Sequence, residues 1–360
     1  MPRARAPEEL DAAALRPPRA LRLTGMGALA LFMGLALISS RWWLPTPFPA
    51  TLGAALLAAL LAAAWIGPLR LRRLAGGWTL TGPFHVGEEA AVGAWLGATA
   101  SAPPLVLEAF NPVTGQRDPV LRLKSLAVAT VKPAWILRFP RRGLIRLPPL
   151  VARSEQPFGV WSMAHAVGLG SDVVVLPALG QVTADLRTRL RSWLESHTTT
   201  NDAGDDELAA LRAYRPGDSP RCVHWRASAR HRHLLVAERH AVGCRRLAIV
   251  VDTATGSDRR ALEKILSAAA TVIDALDREG WHLTVHGAFA PPGLSGPRAV
   301  LLEALALATT STRTVSEFVP LDIPSLVFAH HDTVIGDRRR AMVVTLADLP
   351  RVVRLSRRER

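Results

Sequence analysis

Apolar and polar positions follow four successive patterns along the chain, and each predicts a different kind of element. The first is a pair of unbroken apolar runs, residues 23–40 and 50–67, neither of which contains a charged side chain. Each is long enough to cross a hydrocarbon core of roughly 30 Å as a helix. The link between them, Arg41–Pro49, carries Trp42 and Trp43, which suit a membrane interface, and Pro45, Pro47 and Pro49, which end helices. A two-helix transmembrane hairpin is predicted over residues 23–69. A signal peptide is the other account of the first run, but that run lacks a clear small-x-small cleavage site and is soon followed by a second span.

From residue 70 to 181 short apolar stretches recur between Gly, Pro and Asn, among them TLTGPFHVG, PLVLEAFNP, AWILRFP and DVVVLPAL. Short strands with turn chemistry between them predict an antiparallel β-sandwich-like domain. Arg141-Arg142-Gly143 reads as a tight turn between two of these strands, with anion binding as the other account. Residues 182–207 then form a helix and linker: Leu186, Leu190 and Leu194 recur at helical spacing beside Trp193. The polar stretch after them places Asp202, Asp205, Asp206 and Glu207 in a solvated loop rather than a cation site.

The fourth pattern, within residues 208–350, alternates strand and helix. RLAIVVD is a β-branched run ending in Asp252, as expected of a central parallel strand whose C-terminal end faces a crevice. A helix follows from a Ser257 cap to Glu279, closed by Gly280, with Leu262, Ile265, Leu266, Ala269, Val272, Ile273 and Leu276 on one face. WHLTVHGAF predicts a strand, residues 298–308 a helix, PSLVFAH part of an irregular stretch, and AMVVTLADL a buried strand. The alternation predicts a doubly wound α/β sheet.

Charge changes this picture in one respect. The net charge is +14, but it is carried almost wholly by arginine, the lysines being Lys124, Lys132 and Lys264. Beside so much Ala, Leu, Gly and Pro, that skew points to base composition of the genome more than to nucleic acid. Residues 1–22 read as a disordered basic tail and 351–360 as a second basic tail. Arg3, Arg5, Arg16, Arg19 and Arg22 precede the hairpin, Arg70, Arg72 and Arg73 follow it, and Arg41 sits between. The positive-inside rule then places both termini, and the whole soluble portion, of this multi-pass membrane protein in the cytoplasm. Cys222 and Cys244 show no metal spacing, which agrees with a reducing compartment.

The densest chemistry lies in residues 208–239, LAALRAYRPGDSPRCVHWRASARHRHLLVAER. Tyr214-Arg215-Pro216-Gly217-Asp218 is turn chemistry. Arg212, Arg215, Arg221, Arg226 and Arg230 either pair with carboxylates such as Asp218 or hold an anion. The expectation is that Asp218 is held by arginines, that Trp225 is buried beneath the turn, and that a Ser-Ala-Arg step leads directly into a strand. This strand would put His231 and His233 on one face.

The segment YRPGDSPRCVHWRASARHRHLLVAE resembles the hallmark of a bacterial membrane protein family, that of domain of unknown function 58. The resemblance extends to Arg141-Arg142-Gly143, to Pro157-Phe158-Gly159 and to Asp252, over residues 70–350. It implies a binding or assembly motif of Tyr214, Arg215, Pro216, Gly217, Asp218, Arg221, Trp225, Ser228 and Arg230, with His224 standing where relatives carry an acid. It also implies a partner, a MoxR-type AAA+ ATPase, and association with other membrane proteins.

The C-terminal part resembles a von Willebrand factor type A domain, whose first strand ends in Asp-x-Ser-x-Ser around a magnesium ion. Here Asp252 matches the acid, but Ala254 and Gly256 replace the hydroxyl ligands. Magnesium demands near-octahedral oxygen coordination, so binding at Asp252 is expected to be weak or absent unless Thr253, Thr255, Ser257 or Asp348 contributes. Otherwise Asp252 caps the next helix. There is no Walker loop, no G-x-S-x-G and no H-E-x-x-H. The expected function is a membrane-anchored, non-enzymatic adaptor with no cofactor. The alternative is a metal- or anion-dependent enzyme around Asp218, Arg221 and His224.

Overall fold

The computed structural model describes residues 21–125, 130–198, 207–214, 223–231, 233–240, 246–254, 258–320, 323–331 and 341–354. The chain forms two compact units that part between Leu176 and Pro177.

The first unit begins with a short strand β1 (Leu21–Leu23), the helix α1 (Gly25–Ser39), a 3₁₀ turn (Ser40–Trp42) and the helix α2 (Phe48–Leu71). Thr24 caps α1 by accepting a hydrogen bond from the Gly27 amide, and Pro49 suits the first turn of α2. Both helices are apolar on every side and leave Phe32, Leu61 and Trp65 more than two-thirds exposed. α1 with the 3₁₀ turn that continues it (Gly25–Trp42), and α2, are each long and apolar enough to cross a membrane, as the unbroken apolar runs predict. They touch at Gly34 and Gly53: a Cβ on Gly53 would lie 2.7 Å from the Gly34 carbonyl oxygen. Residues 21–23, expected to lead from the tail into the first span, instead pair with a strand of the following domain.

That domain contains β2 (Leu74–Thr79), β3 (Phe84–His85), β4 (Glu89–Ala98), β5 (Leu105–Asn111), β6 (Gln116–Leu123), β7 (Thr130–Val131), β8 (Ala134–Arg138), β9 (Gly143–Leu147), β10 (Leu150–Ser154), β11 (Trp161–Val167) and β12 (Ser171–Leu176). Its sheets are ordered β1-β11-β10-β5-β6, β3-β12-β9 and β2-β4-β7, with β8 also on β4. One core joins Leu96 of β4, Leu107 of β5, Leu150 of β10 and Met163 of β11; another joins Phe84, Phe139, Leu147 and Val175. The alternating pattern predicted antiparallel pairing throughout, but β3 runs parallel to β12. Two residues of strand carry too short an alternation for the sequence to show their direction. Across β5 and β10, Arg153 grips Glu108 with a two-pronged bond, Nε–Oε1 at 2.7 Å and Nη2–Oε2 at 3.2 Å. This bond holds the Arg153 guanidinium above its ordinary pKa.

The second unit contains β13 (Gln181–Val182), α3 (Ala184–Thr198), β14 (Glu207–Ala213), α4 (Trp225–His231), β15 (Leu235–His240), β16 (Arg246–Val251), α5 (Arg259–Arg278), β17 (His282–His286), β18 (Leu294–Ser295), α6 (Arg298–Leu307), a 3₁₀ turn (Val315–Phe318), β19 (Ser325–Ala329), β20 (Ala341–Thr345), α7 (Leu349–Val352) and β21 (Val353–Arg354). The central sheet is ordered β18-β17-β16-β19-β20, with β17, β16, β19 and β20 parallel and β18 antiparallel. All seven positions of the predicted apolar face of α5 are buried. On another core surface Val250 and Val327 meet Val315 of the 3₁₀ turn.

Three details differ from expectation. The cap of α5 is Asp258, which accepts from the amides of Arg260 and Ala261, and Ser257 lies outside the described residues. PSLVFAH is not irregular: Ser325–Ala329 is wholly buried between β16 and β20, and the proline before it ends the preceding segment rather than the strand. AMVVTLADL divides into a half-buried outer strand and, after a turn at Thr345–Asp348, the helix α7. Gly280 closes α5 at φ +79°, as predicted.

Candidate functional site

The hallmark segment folds as a β-hairpin with a helix in its connection. β14 pairs antiparallel with β15, and Val223 bridges Val236. Tyr214, half-buried, donates its amide to the Leu234 carbonyl, which ties the end of β14 to the start of β15. Arg215, Pro216, Gly217, Asp218 and Arg221 lie outside the described residues, as do Asp202, Asp205 and Asp206.

Ser-Ala-Arg does not lead straight into a strand. It lies in α4, and His224 is the reason: its Nδ1 accepts from the Ala227 amide at 3.1 Å, the bond an acid or amide makes at a helix N-terminus. His231 is the last residue of α4 and His233 lies in the bend beyond, so they share no strand face. Ser228, buried, locks the helix to the hairpin. Its Oγ donates to the His224 carbonyl at 3.0 Å and accepts from the Leu235 amide at 2.9 Å.

With Val223, Ser228, Leu235 and Val236 filling the inner side, Trp225 is left outside. It is 65% exposed, contrary to the expectation that it is buried, because it stands on the first turn of α4 with the packed face already occupied. Arg226 and Arg230 are exposed on the same helix. The described part of the hallmark thus has an inner side of Val223, Ser228, Leu235 and Val236 and an outer side of one indole and two guanidinium groups.

Asp252 lies at the C-terminal end of β16. The chain leaves β16 for β17 on one side and later enters β19 on the other, so this end is a switch point of the sheet, where ligands of open α/β folds bind. Asp252 is buried and accepts from the Ala254 amide at 2.8 Å, closing its own turn rather than capping α5. The Thr253 hydroxyl is buried, and among the described residues it has no hydrogen-bond partner. Among the described residues this turn offers magnesium the Asp252 carboxylate and the Thr253 hydroxyl, while the Ala254 side chain brings no ligand; Thr255, Gly256 and Ser257 lie outside the described residues. Asp348 is committed elsewhere: Thr345 Oγ1 donates to it at 2.7 Å and holds its carboxyl below the usual range. Among the described residues no group of three or more His, Cys, Asp or Glu is placed to hold a metal.

Sequence reasoning assigned no role to Gly159–Trp161, where the first unit grips its own helices. Thr24 donates its hydroxyl to the Gly159 carbonyl at 2.6 Å and its amide to the Val160 carbonyl at 3.1 Å. Trp161 donates its indole N–H to the Leu60 carbonyl in α2 at 2.9 Å. The one signal in the sequence is Pro157-Phe158-Gly159, a turn with an aromatic residue where a polar one is usual.

No protein-family model and no curated protein matches the chain.

Proposed function

We propose that this chain is a membrane-anchored, cytoplasm-facing interaction protein without catalytic activity, and that its partner is a MoxR-type AAA+ ATPase serving the assembly or maturation of other proteins. The observation that carries the reading is Trp225, held in solvent on a helix whose other side is locked by Ser228 and His224. A fixed, solvent-facing indole flanked by arginines has the composition of an interface anchor, at little entropic cost on binding. By the hallmark resemblance this residue would belong to a binding motif, and the ATPase would be the partner it meets. The central parallel sheet with Asp252 at its switch point is consistent with a von Willebrand factor type A-like domain, which would bind here without relying on magnesium.

The hairpin supplies the anchor. β1, before α1, and the strands after α2 belong to one sheet system, so two spanning helices leave both ends of the hairpin on one side of the membrane. The exposed Arg70, Arg72 and Arg73 favour the cytoplasm for that side. An enzyme around Asp218, Arg221 and His224 is less well supported, because the Nδ1 of His224 is occupied as a helix cap.

The test is co-purification of the full chain and the ATPase from solubilised membranes, with thermal unfolding measured alongside. Trp225→Ala is expected to weaken association roughly tenfold or more while leaving the melting temperature unchanged. Undiminished association would remove Trp225 from the interface and this reading with it.

A further inference from the structure

The turn Glu155–Val160 is built against the hairpin, not beside it. Gly159 donates its amide to the Glu155 carbonyl at 2.8 Å, and Ser154, buried at the base, donates to the Pro104 carbonyl while accepting from the Gln156 amide. Phe158 (φ +67°) and Gly159 (φ +68°) are consecutive left-handed residues. An aromatic side chain rarely adopts that backbone, and where it persists the surroundings enforce it. Here the enforcement is visible: Thr24 holds the carbonyls of Gly159 and Val160, Val160 packs with Leu60 and Ala63 of α2, and Ala30 of α1 lies against the same cluster.

These contacts set the height of the turn along the helices. Leu60 and Ala63 precede Arg70 by ten and seven positions. At 1.5 Å per residue, Val160 sits about 10–15 Å along α2 on the apolar side of that arginine. Phe158, two residues before Val160, is 75% exposed, on a turn whose base carries the exposed Glu155 and Gln156. Trp65 of α2, 74% exposed, lies in the same zone. With α2 spanning, solvent-facing aromatic groups at such a depth fall past the headgroups and among the acyl chains, where an apolar ring is favoured.

We infer that Pro157-Phe158-Gly159 is a third membrane contact, a fixed wedge that inserts Phe158 into the acyl region of the leaflet nearest the β-rich domain. The occupant of this surface is lipid, and the inference rests on the hairpin reading proposed above. The wedge, together with the Thr24 and Trp161 bonds, holds the β-rich domain against the bilayer instead of leaving it on a free tether.

Nitroxide labels in the full chain test it, in vesicles of phosphatidylethanolamine and phosphatidylglycerol and on a Cys222→Ser, Cys244→Ser background. Labels are placed by Phe158→Cys, by Phe32→Cys in α1, and by Leu169→Cys, which is 85% exposed on the turn after β11. The Phe158 label is expected to collide more with oxygen than with a water-soluble nickel chelate, as the Phe32 label does, and the Leu169 label to do the reverse. A Phe158 label that behaves as Leu169 does, or is shielded from both reagents, overturns the wedge while leaving the hairpin standing. If the Phe32 label also reads water, hairpin and wedge fall together. The unsubstituted chain gives a second measurement: a lipid with a photoreactive acyl chain should attach to the Glu155–Trp161 peptide, and attachment to α1 and α2 without it contradicts the inference.

Discussion

Partly buried charges in this protein are held by geometry, and exposed pairs are not equivalent to them. Asp274 of α5 has a side chain only 11% exposed and takes Arg278 at 2.8 Å and Arg298 of α6 at 2.7 Å, so one carboxylate joins two helices. Asp274→Ala leaves Arg298, whose side chain is 33% exposed, without this carboxylate while Arg278 turns to solvent, and the expected loss is about 1.5–3 kcal/mol, the range for hydrogen bonds to charged groups. The Arg146–Asp172 pair stands in solvent, and Asp172→Ala is expected to leave the melting temperature unchanged. Thermal unfolding of the two variants in detergent checks the contrast.

His165 of β11 adds a pH dependence. Burial, and then the charge of Arg72, lower its pKa below the ordinary value. The folded state therefore resists a proton that the unfolded chain accepts near pH 6.5. Above about pH 7 both states hold a neutral imidazole and nothing is lost; as pH falls through the unfolded value toward the folded one, stability declines. Melting temperature followed from about pH 7.5 to about pH 5.5 should fall less steeply for His165→Gln than for the parent chain.

At the scale of elements, the hairpin depends on backbone contact between α1 and α2. A side chain at Gly53 meets the Gly34 carbonyl at 2.7 Å and Leu37 Cβ at 2.9 Å, whereas one at Gly25 meets nothing within 4 Å. Gly53→Val is expected to force the helices apart at a cost of about 1–3 kcal/mol, and Gly25→Ala to cost far less. A detergent-solubilised melt that ranks them the other way would mean that the helices do not rely on this crossing.

Elements with long, uniform patterns are legible in the amino-acid sequence alone. The apolar runs form α1 and α2, and the face of α5 emerges position by position, because both signals extend over many residues. Short or locally capped elements are not legible in this way. Nothing in HWRASAR distinguishes a turn from a helix; the acceptance of the Ala227 amide by the His224 ring decides it, and the exposure of Trp225 follows from that cap. β19 is obscured by Pro324 and by its brevity. The grip of Thr24 and Trp161 on the hairpin joins residues 135 and 101 positions apart, a distance no periodicity encodes.

At the scale of the whole molecule, the proposed function requires both units to face the cytoplasm. β1 and β11 share a sheet across the hairpin, and from Leu74 onward the described residues contain no further helix long and apolar enough to span. The shared sheet supports the proposal that both ends of the hairpin lie on one side of the membrane, and Arg70, Arg72 and Arg73 support the cytoplasm for that side. Reporter fusions after Arg73 and after Arg360 in the full chain measure this directly, using a phosphatase active only outside the cytoplasm and a fluorescent protein that folds only within it. Fluorescence without phosphatase activity at both positions is the predicted result. Phosphatase activity at either would contradict a cytoplasm-facing interaction protein.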